Sequence, residues 1–177
     1  MTELVPVLLE QKEVLRNLLE KYLCEFAQYE HLDVEDDGLY HYQWLKCYWT
    51  DPNRFPYFIK VDGKLAGFAM VNDYPEVPER TPDFCLAEFF VMPRYRRMGV
   101  GKEAAFQLFD RHRGKWQFQR HPHNVPSVHF WNRVVDEYTH GHFELIESYP
   151  DPQVNYRDGT PADVFFFDNS ENPLSRC

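Results

Sequence analysis

The stretch that most constrains this chain runs from Phe84 to Gly101, FCLAEFFVMPRYRRMGVG, and leads directly into KEAAFQLFDRHR. An apolar run, a basic corner and two glycines ahead of a helix-forming segment describe a buried strand that turns into the first turn of an amphipathic helix. Such a corner is an anion site. Glycine lets backbone N–H groups approach a ligand closely, and the helix N-terminus adds positive potential. Arg94, Arg96, Arg97 and Lys102 bring formal charge, so a phosphate or pyrophosphate is the natural guest.

Spacing discriminates among the glycine patterns that build such a corner. A P-loop needs G-x-x-x-x-G-K-[ST], but Lys102 is followed by Glu103 and no glycine stands at the required distance upstream. The dinucleotide fingerprint matches the letters from Gly99 to Ala104, yet its first glycine should close the strand directly, and here Pro93 to Met98 intervene. The third pattern is [QR]-x-x-G-x-[GA] behind a strand ending in V-x-P. Arg96, Gly99 and Gly101 satisfy it behind Val91 and Pro93. This resembles the acetyl-CoA loop of the GCN5-related N-acetyltransferases (GNAT), and the wider phrase EFFVMPRYRRMGVG is similar to that of polyamine acetyltransferases. A second segment, Asn124-Val-Pro-Ser-Val-His-Phe-Trp131, is similar to the family's N-x-x-[AS]-x-x-F-Y.

Length and composition agree with one folded domain: 177 residues, 44% hydrophobic and 17% aromatic, can bury a sizeable core. A net charge of −9 is a poor match for a nucleic-acid partner. Cys24, Cys47, Cys85 and Cys177 form no close pair, and neither a cleavable signal nor a membrane-spanning apolar run is present, so the expectation is a cytoplasmic protein with reduced thiols.

Read in order, residues 4–8 are expected as a strand and 10–29 as a helix whose stripe is Val14, Leu15, Leu18, Leu19, Tyr22, Leu23 and Phe26. A charged loop follows, with Glu30, Asp33, Glu35, Asp36 and Asp37, and then a second, aromatic-rich helix from about Leu39 to Asp51-Pro52. Strands 56–61 and 65–72 flank Asp62-Gly63-Lys64, a strong hairpin signal. Residues 74–82, with three prolines, read as a loop. After the glycine corner, Gly114 stops the helix, 115–119 form a strand, 124–135 a helix, and 143–149 and 164–167 the last strands. Residues 1–170 are taken as the acetyltransferase domain and 171–177 as a C-terminal tail.

The resemblance implies an α/β single domain with a mixed, mostly antiparallel central sheet, splayed in the middle and with helices on both faces. It also implies acetyl-CoA as co-substrate. Phe89, Phe90 and Val91 occupy the positions whose backbone binds the pantetheine arm. The amides of Arg97, Met98, Gly99, Val100, Gly101 and Lys102 would carry the pyrophosphate, and Asn124 stands at the lip of the split. Trp131 replaces the tyrosine that commonly serves as general acid, and an indole N–H does not titrate. Of the two carboxylates that precede FFVM in polyamine enzymes, this chain keeps only the second, as Ala87-Glu88. Glu88 is the candidate base or amine-orienting group, with a structural ion pair to an arginine as the competing role.

His121-Pro-His123 and His140-Gly-His142 are spaced pairs without the further ligands of a metal centre, so no metal is expected. One of His121 and His123 is an auxiliary proton carrier on this reading, or simply a solvated loop residue. The acidic loop favours a small cationic amine as acceptor. The alternatives are an acyl-CoA-binding module without turnover and a protein or peptide amine acetyltransferase. No membrane partner is expected, and a homodimer is compatible with the sequence.

Overall fold

A computed structural model describes residues 1–171; the expected tail beyond 171, with Cys177, lies outside the described residues. Seven strands, β1 (Thr2–Pro6), β2 (Phe55–Val61), β3 (Lys64–Asn72), β4 (Phe84–Val91), β5 (Lys115–Arg120), β6 (Glu144–Ile146) and β7 (Asp163–Asp168), form one sheet in the order β1-β2-β3-β4-β5-β7-β6. Every neighbouring pair is antiparallel except β4 and β5. Those two run parallel and pair only at Phe84↔Trp116 and Cys85↔Gln117, after which the sheet opens.

The helices are α1 (Lys12–Glu30), α2 (Cys47–Thr50), α3 (Val100–Arg111) and α4 (Val125–Thr139). Strand alternation sorts the core into two layers. Phe58, Phe68, Met70 and Phe90 pack under Leu15, Leu18 and Leu19 of α1. Tyr57, Ile59, Ala69 and Val71 face Ala104, Leu108 and Phe109 of α3 and Val134 and Val135 of α4. A third cluster, Val77, Val154, Ala162, Val164 and Phe166, fills the space beneath the loop joining β6 to β7. No described helix is long and apolar enough to cross a membrane.

One expected element is not formed as read. The helix from Leu39 to Asp51-Pro52 shrinks to the single turn Cys47–Thr50. His41 takes a left-handed φ of 54°, and the amides of Tyr40 and His41 donate to the carboxylate of Glu20 on α1, at 2.7 and 3.0 Å. A left-handed residue at that point breaks the run of right-handed helical dihedrals. The first strand begins two residues earlier than expected, α4 extends to Thr139, and the strand expected over 143–149 keeps only Glu144–Ile146. The hairpin turn is as expected, with Asp62 and Gly63 both at positive φ.

The end of α3 is held from a distance. The buried Asn169 side chain donates to the carbonyls of Phe109 (2.7 Å) and His112 (3.3 Å), and accepts from the N–H of Gly114 (2.8 Å). The two carbonyls are of the kind that a helix C-terminus leaves without a ladder partner. Asn169→Ala is therefore expected to destabilise the protein by about 3 kcal/mol, the scale for stranding several buried polar groups. Urea denaturation with an unchanged m-value checks this.

Candidate functional site

Where β4 and β5 part, a cleft of about 430 Å³ opens. Its walls come from Tyr22, Phe26 and Glu30 of α1, the segment Tyr40 to Trp44, residues Leu86 to Phe89 of β4, Phe118 to His121 at the end of β5, and the loop residues Asn155 to Arg157. Asn124 and Trp131 of the α4 region line it as well. Trp131 stands between the two strands, its ring 5.2 Å from Phe89 of β4 and 4.8 Å from Phe118 of β5, centroid to centroid. The buried indole bridges the two strands through their side chains where their backbones no longer pair. The β4 edge beyond Cys85 thus keeps backbone groups without a strand partner on that side.

Glu88 reaches this cleft because β4 carries a bulge. Met70 of β3 pairs with Glu88 and Val71 with Leu86, so Ala87 is an inserted residue. The insertion lets Leu86 and Phe89 both face the α3 and α4 layer, while Glu88 turns to the α1 side. There the hydroxyls of Tyr22 and Tyr42 lie close enough to its carboxyl group to favour the charged form. Burial pushes the Glu88 pKa up to about 7; the two hydroxyls pull it down, and the charges of Glu76 and Glu30 add to the rise. Burial, reinforced by Glu88, holds both tyrosines well above their ordinary value, so they stay protonated donors. The competing ion pair is not seen: among the described residues no arginine or lysine bridges to Glu88.

The glycine corner lies past the end of β4 and contributes no side chain to the cleft walls. After a short 3-10 turn, Pro93–Tyr95, Arg97 and Gly99 take left-handed φ values of 61° and 82°, and α3 begins at Val100. Among the described residues, the amides from Arg97 to Lys102 donate to no other backbone group. A Cβ on Gly99 would meet nothing closer than 3.8 Å, so its positive φ rather than crowding calls for glycine. At Gly101 the reverse holds: a Cβ would lie 3.0 Å from the Phe130 ring, so this glycine lets α3 approach α4.

The basic residues of the corner divide. The Arg96 guanidinium donates to the Val91 carbonyl and to Glu25 of α1, each at 2.7 Å. The Lys102 ammonium pairs with Glu137 of α4. Both stitch the corner to neighbouring helices, whereas Arg97 has no ion-pair partner among the described residues. Phe90 is buried beneath α1 and Val100 beneath the sheet, Val91 is half-buried, and Met98 is exposed. Asn124 caps α4 by accepting from the N–H of Ser127 at 3.2 Å.

Of the acidic loop, Glu30 and Asp33 line the cleft, while Asp37 turns aside to pair with His41 at 2.7 Å. The walls also hold residues that the sequence reading assigned elsewhere. Tyr22 and Phe26 were expected in the core stripe of α1, and nothing singled out Asn155, Tyr156 and Arg157. Helical periodicity does flag the α1 stripe, but it cannot tell a core face from a cleft face.

The profile of the acetyltransferase (GNAT) family matches residues 15–135. The chain therefore belongs to this family; it is an acetyltransferase whose co-substrate is acetyl-CoA. No curated protein sequence matches it. Solved structures share the fold. An acetyltransferase from Thermus thermophilus is 13% identical, with a TM-score of 0.65 over 95% of this chain and 97% of that one. An aminoglycoside acetyltransferase in complex with coenzyme A is 15% identical, TM-score 0.64, over 95% of both chains. Spermidine N-acetyltransferase from Vibrio cholerae, in complex with CoA and spermine, is 13% identical, TM-score 0.62, over 96% of both.

The raised pKa of Glu88 has a sign that can be tested. The unfolded chain ionises near the ordinary value of 4.5 and the folded one near 7, so this group's contribution to stability is fully present below pH 4.5 and is lost as pH rises through about 7. Glu88→Gln is expected to melt higher than the parent at about pH 8, with the gap closing toward about pH 4. Thermal melts across that range check it.

Proposed function

We propose that this acetyltransferase acylates a primary amine of a small, cationic acceptor held in the cleft between α1, β4, the end of β5 and the β6–β7 loop. The observation that carries this reading is Glu88: a buried carboxyl group in the cleft wall beside the hydroxyls of Tyr22 and Tyr42, its pKa raised to about 7. A base titrating near the working pH is well matched to removing a proton from an ammonium group. Bound acetyl-CoA supplies an acyl group already activated as a thioester. The residues present suit it: amides of Arg97 to Lys102 without backbone acceptors for its phosphates, an open approach at Gly99, and a β4 edge along Phe89, Phe90 and Val91 that has no β5 partner, with the Val91 carbonyl held by Arg96.

In this scheme Glu88 accepts the acceptor's proton on a carboxylate oxygen. Tyr22 and Tyr42 fix the direction of its lone pairs, and Glu30 and Asp33 draw the cation into the cleft. Aromatic walls from Phe26, Tyr40, Tyr42 and Trp44 suit an organic cation, whose charge interacts with ring faces. Trp131 shapes the split and moves no proton. A protein or peptide acceptor is less well served, because the loop bearing Asn155 to Arg157 closes one side of the cleft, where the Arg157 amide donates to Glu30 at 3.3 Å.

Glu88→Gln is expected to lower kcat by roughly 10²-fold and to remove the rise of rate with pH through about 7, with acetyl-CoA affinity intact. A variant within twofold of the parent would assign the proton to water instead. Gly99→Glu should abolish acetyl-CoA binding in calorimetry while the chain stays folded, because it places both bulk and negative charge at the corner. An acceptor screen by thiol release, run at low and high ionic strength, distinguishes the acceptor class. Polyamines and diamines should turn over with KM rising as salt is added. Turnover confined to anionic amines would overturn the cationic reading, and thiol release from none would favour a binding module.

A further inference from the structure

Residues Tyr40 to Trp44 form one wall of the cleft without belonging to a helix or a strand. A carboxylate on α1 fastens them. Glu20 uses both of its oxygens: Oε2 accepts the N–H of Tyr40 at 2.7 Å and Oε1 accepts that of His41 at 3.0 Å. Two successive amides, the second from a residue at left-handed φ, make the kind of concavity that receives an anion. Among the described residues, these are the only hydrogen bonds that tie the backbone of 40–44 to α1 or to the sheet. Glu20 itself does not line the cleft. The next residue along the wall is Tyr42, whose ring packs against the layer under α1 and whose hydroxyl lies close to the Glu88 carboxyl.

We propose that Glu20 is a positioning residue for acetyl transfer: by holding the backbone at Tyr40 and His41, it sets the Tyr42 hydroxyl beside the Glu88 carboxyl. The proposal rests on the acetyl-transfer reading above, in which Glu88 takes the proton, and adds a residue that acts from outside the cleft. Ring packing alone leaves a tyrosine hydroxyl able to shift with its backbone, and a hydrogen bond weakens steeply once its geometry is lost. Two bonds to an anion, made by the residues just before Tyr42, remove that freedom. The other groups facing Glu88 are Tyr22 and Glu30 of α1, Tyr48 of α2, Glu76 of the loop before β4 and Tyr156 of the β6–β7 loop. Burial keeps Tyr48 and Tyr156 protonated. Glu30 and Glu76 disfavour the charged form of Glu88, whereas the hydroxyls of Tyr22 and Tyr42 favour it, so losing the Tyr42 contact moves the Glu88 titration to higher pH.

The test follows two midpoints: that of kcat against pH with diaminopropane as acceptor, and that of the Glu88 carboxyl signal in NMR of isotope-labelled protein, identified by its absence in Glu88→Gln. Glu20→Ala should move both from about 7 to about 8, the scale of one hydrogen bond lost to a charged group, with acetyl-CoA affinity unchanged. Glu20→Gln keeps an acceptor oxygen, so it should shift them less, and it carries the test should the alanine variant fail to fold. Tyr42→Phe should reproduce the shift, and adding Glu20→Ala to it should move the midpoint no further, because the two act through one contact. Rates that fall equally at every pH, with the midpoint unmoved, would show that Glu20 only supports the fold and would overturn the proposal. So would a shift to lower pH, the mark of water entering beside Glu88, or a further shift in the double variant. A carboxyl signal that responds to Glu20 while the rate ignores pH, or while no amine turns over, would leave the positioning standing and remove only the acetyl-transfer role of Glu88.

Discussion

The brief pairing of β4 with β5 is the constraint on which the rest of this structure depends. Two parallel neighbours that bond at only two positions leave an edge of unpaired backbone inside a sheet, a feature that is costly unless something fills or uses the gap. Here Trp131 fills its floor by packing on a phenylalanine from each strand, and the remaining space is the cleft. The helix that supplies this wedge is held close to α3 by the absent side chain of Gly101 and by the pairing of Lys102 with Glu137. Opening the sheet and setting the glycine corner are thus one packing problem.

The chemistry of the cleft follows from a second irregularity, the bulge at Ala87. One inserted residue changes which face of β4 a side chain occupies, and it carries Glu88 from the α3 and α4 layer to the α1 side. Its new neighbours are tyrosines rather than a cation. An ion pair would have locked the carboxylate in its charged form; hydroxyl donors in a partly dry site leave it near neutrality, able to hold or release a proton.

Charge at the corner is used more economically than a count of arginines implies. Arg96 ties the end of β4 to α1 through Glu25, and its guanidinium lies 5.4 Å from the Phe90 ring centre, so it fixes the turn. Half-exposed pairs of this kind contribute little stability individually. Their effect is geometric: they tie down the corner around the run from Arg97 to Lys102, whose amides donate to no other backbone group among the described residues.

Much of this architecture was legible in the sequence because its signals are local. Strand alternation, the Asp62-Gly63 turn and the glycine corner with its following helix each depend on residues a few positions apart, and each is found in place. What the sequence could not supply depends on distant partners. Glu20 captures the amides of Tyr40 and His41 where the chain turns left-handed; Asn169 closes the end of α3; Tyr22, Phe26 and Tyr156, from opposite parts of the chain, become walls of one cleft. Glu88 could be named from its motif, but its direction and its partners could not. A bulge is a relation between two strands, and a pKa is set by whatever those strands bring near. His121 shows the limit most clearly: local sequence marks it as a loop histidine, and only tertiary packing buries its ring and leaves Nε2 without a hydrogen-bond partner among the described residues.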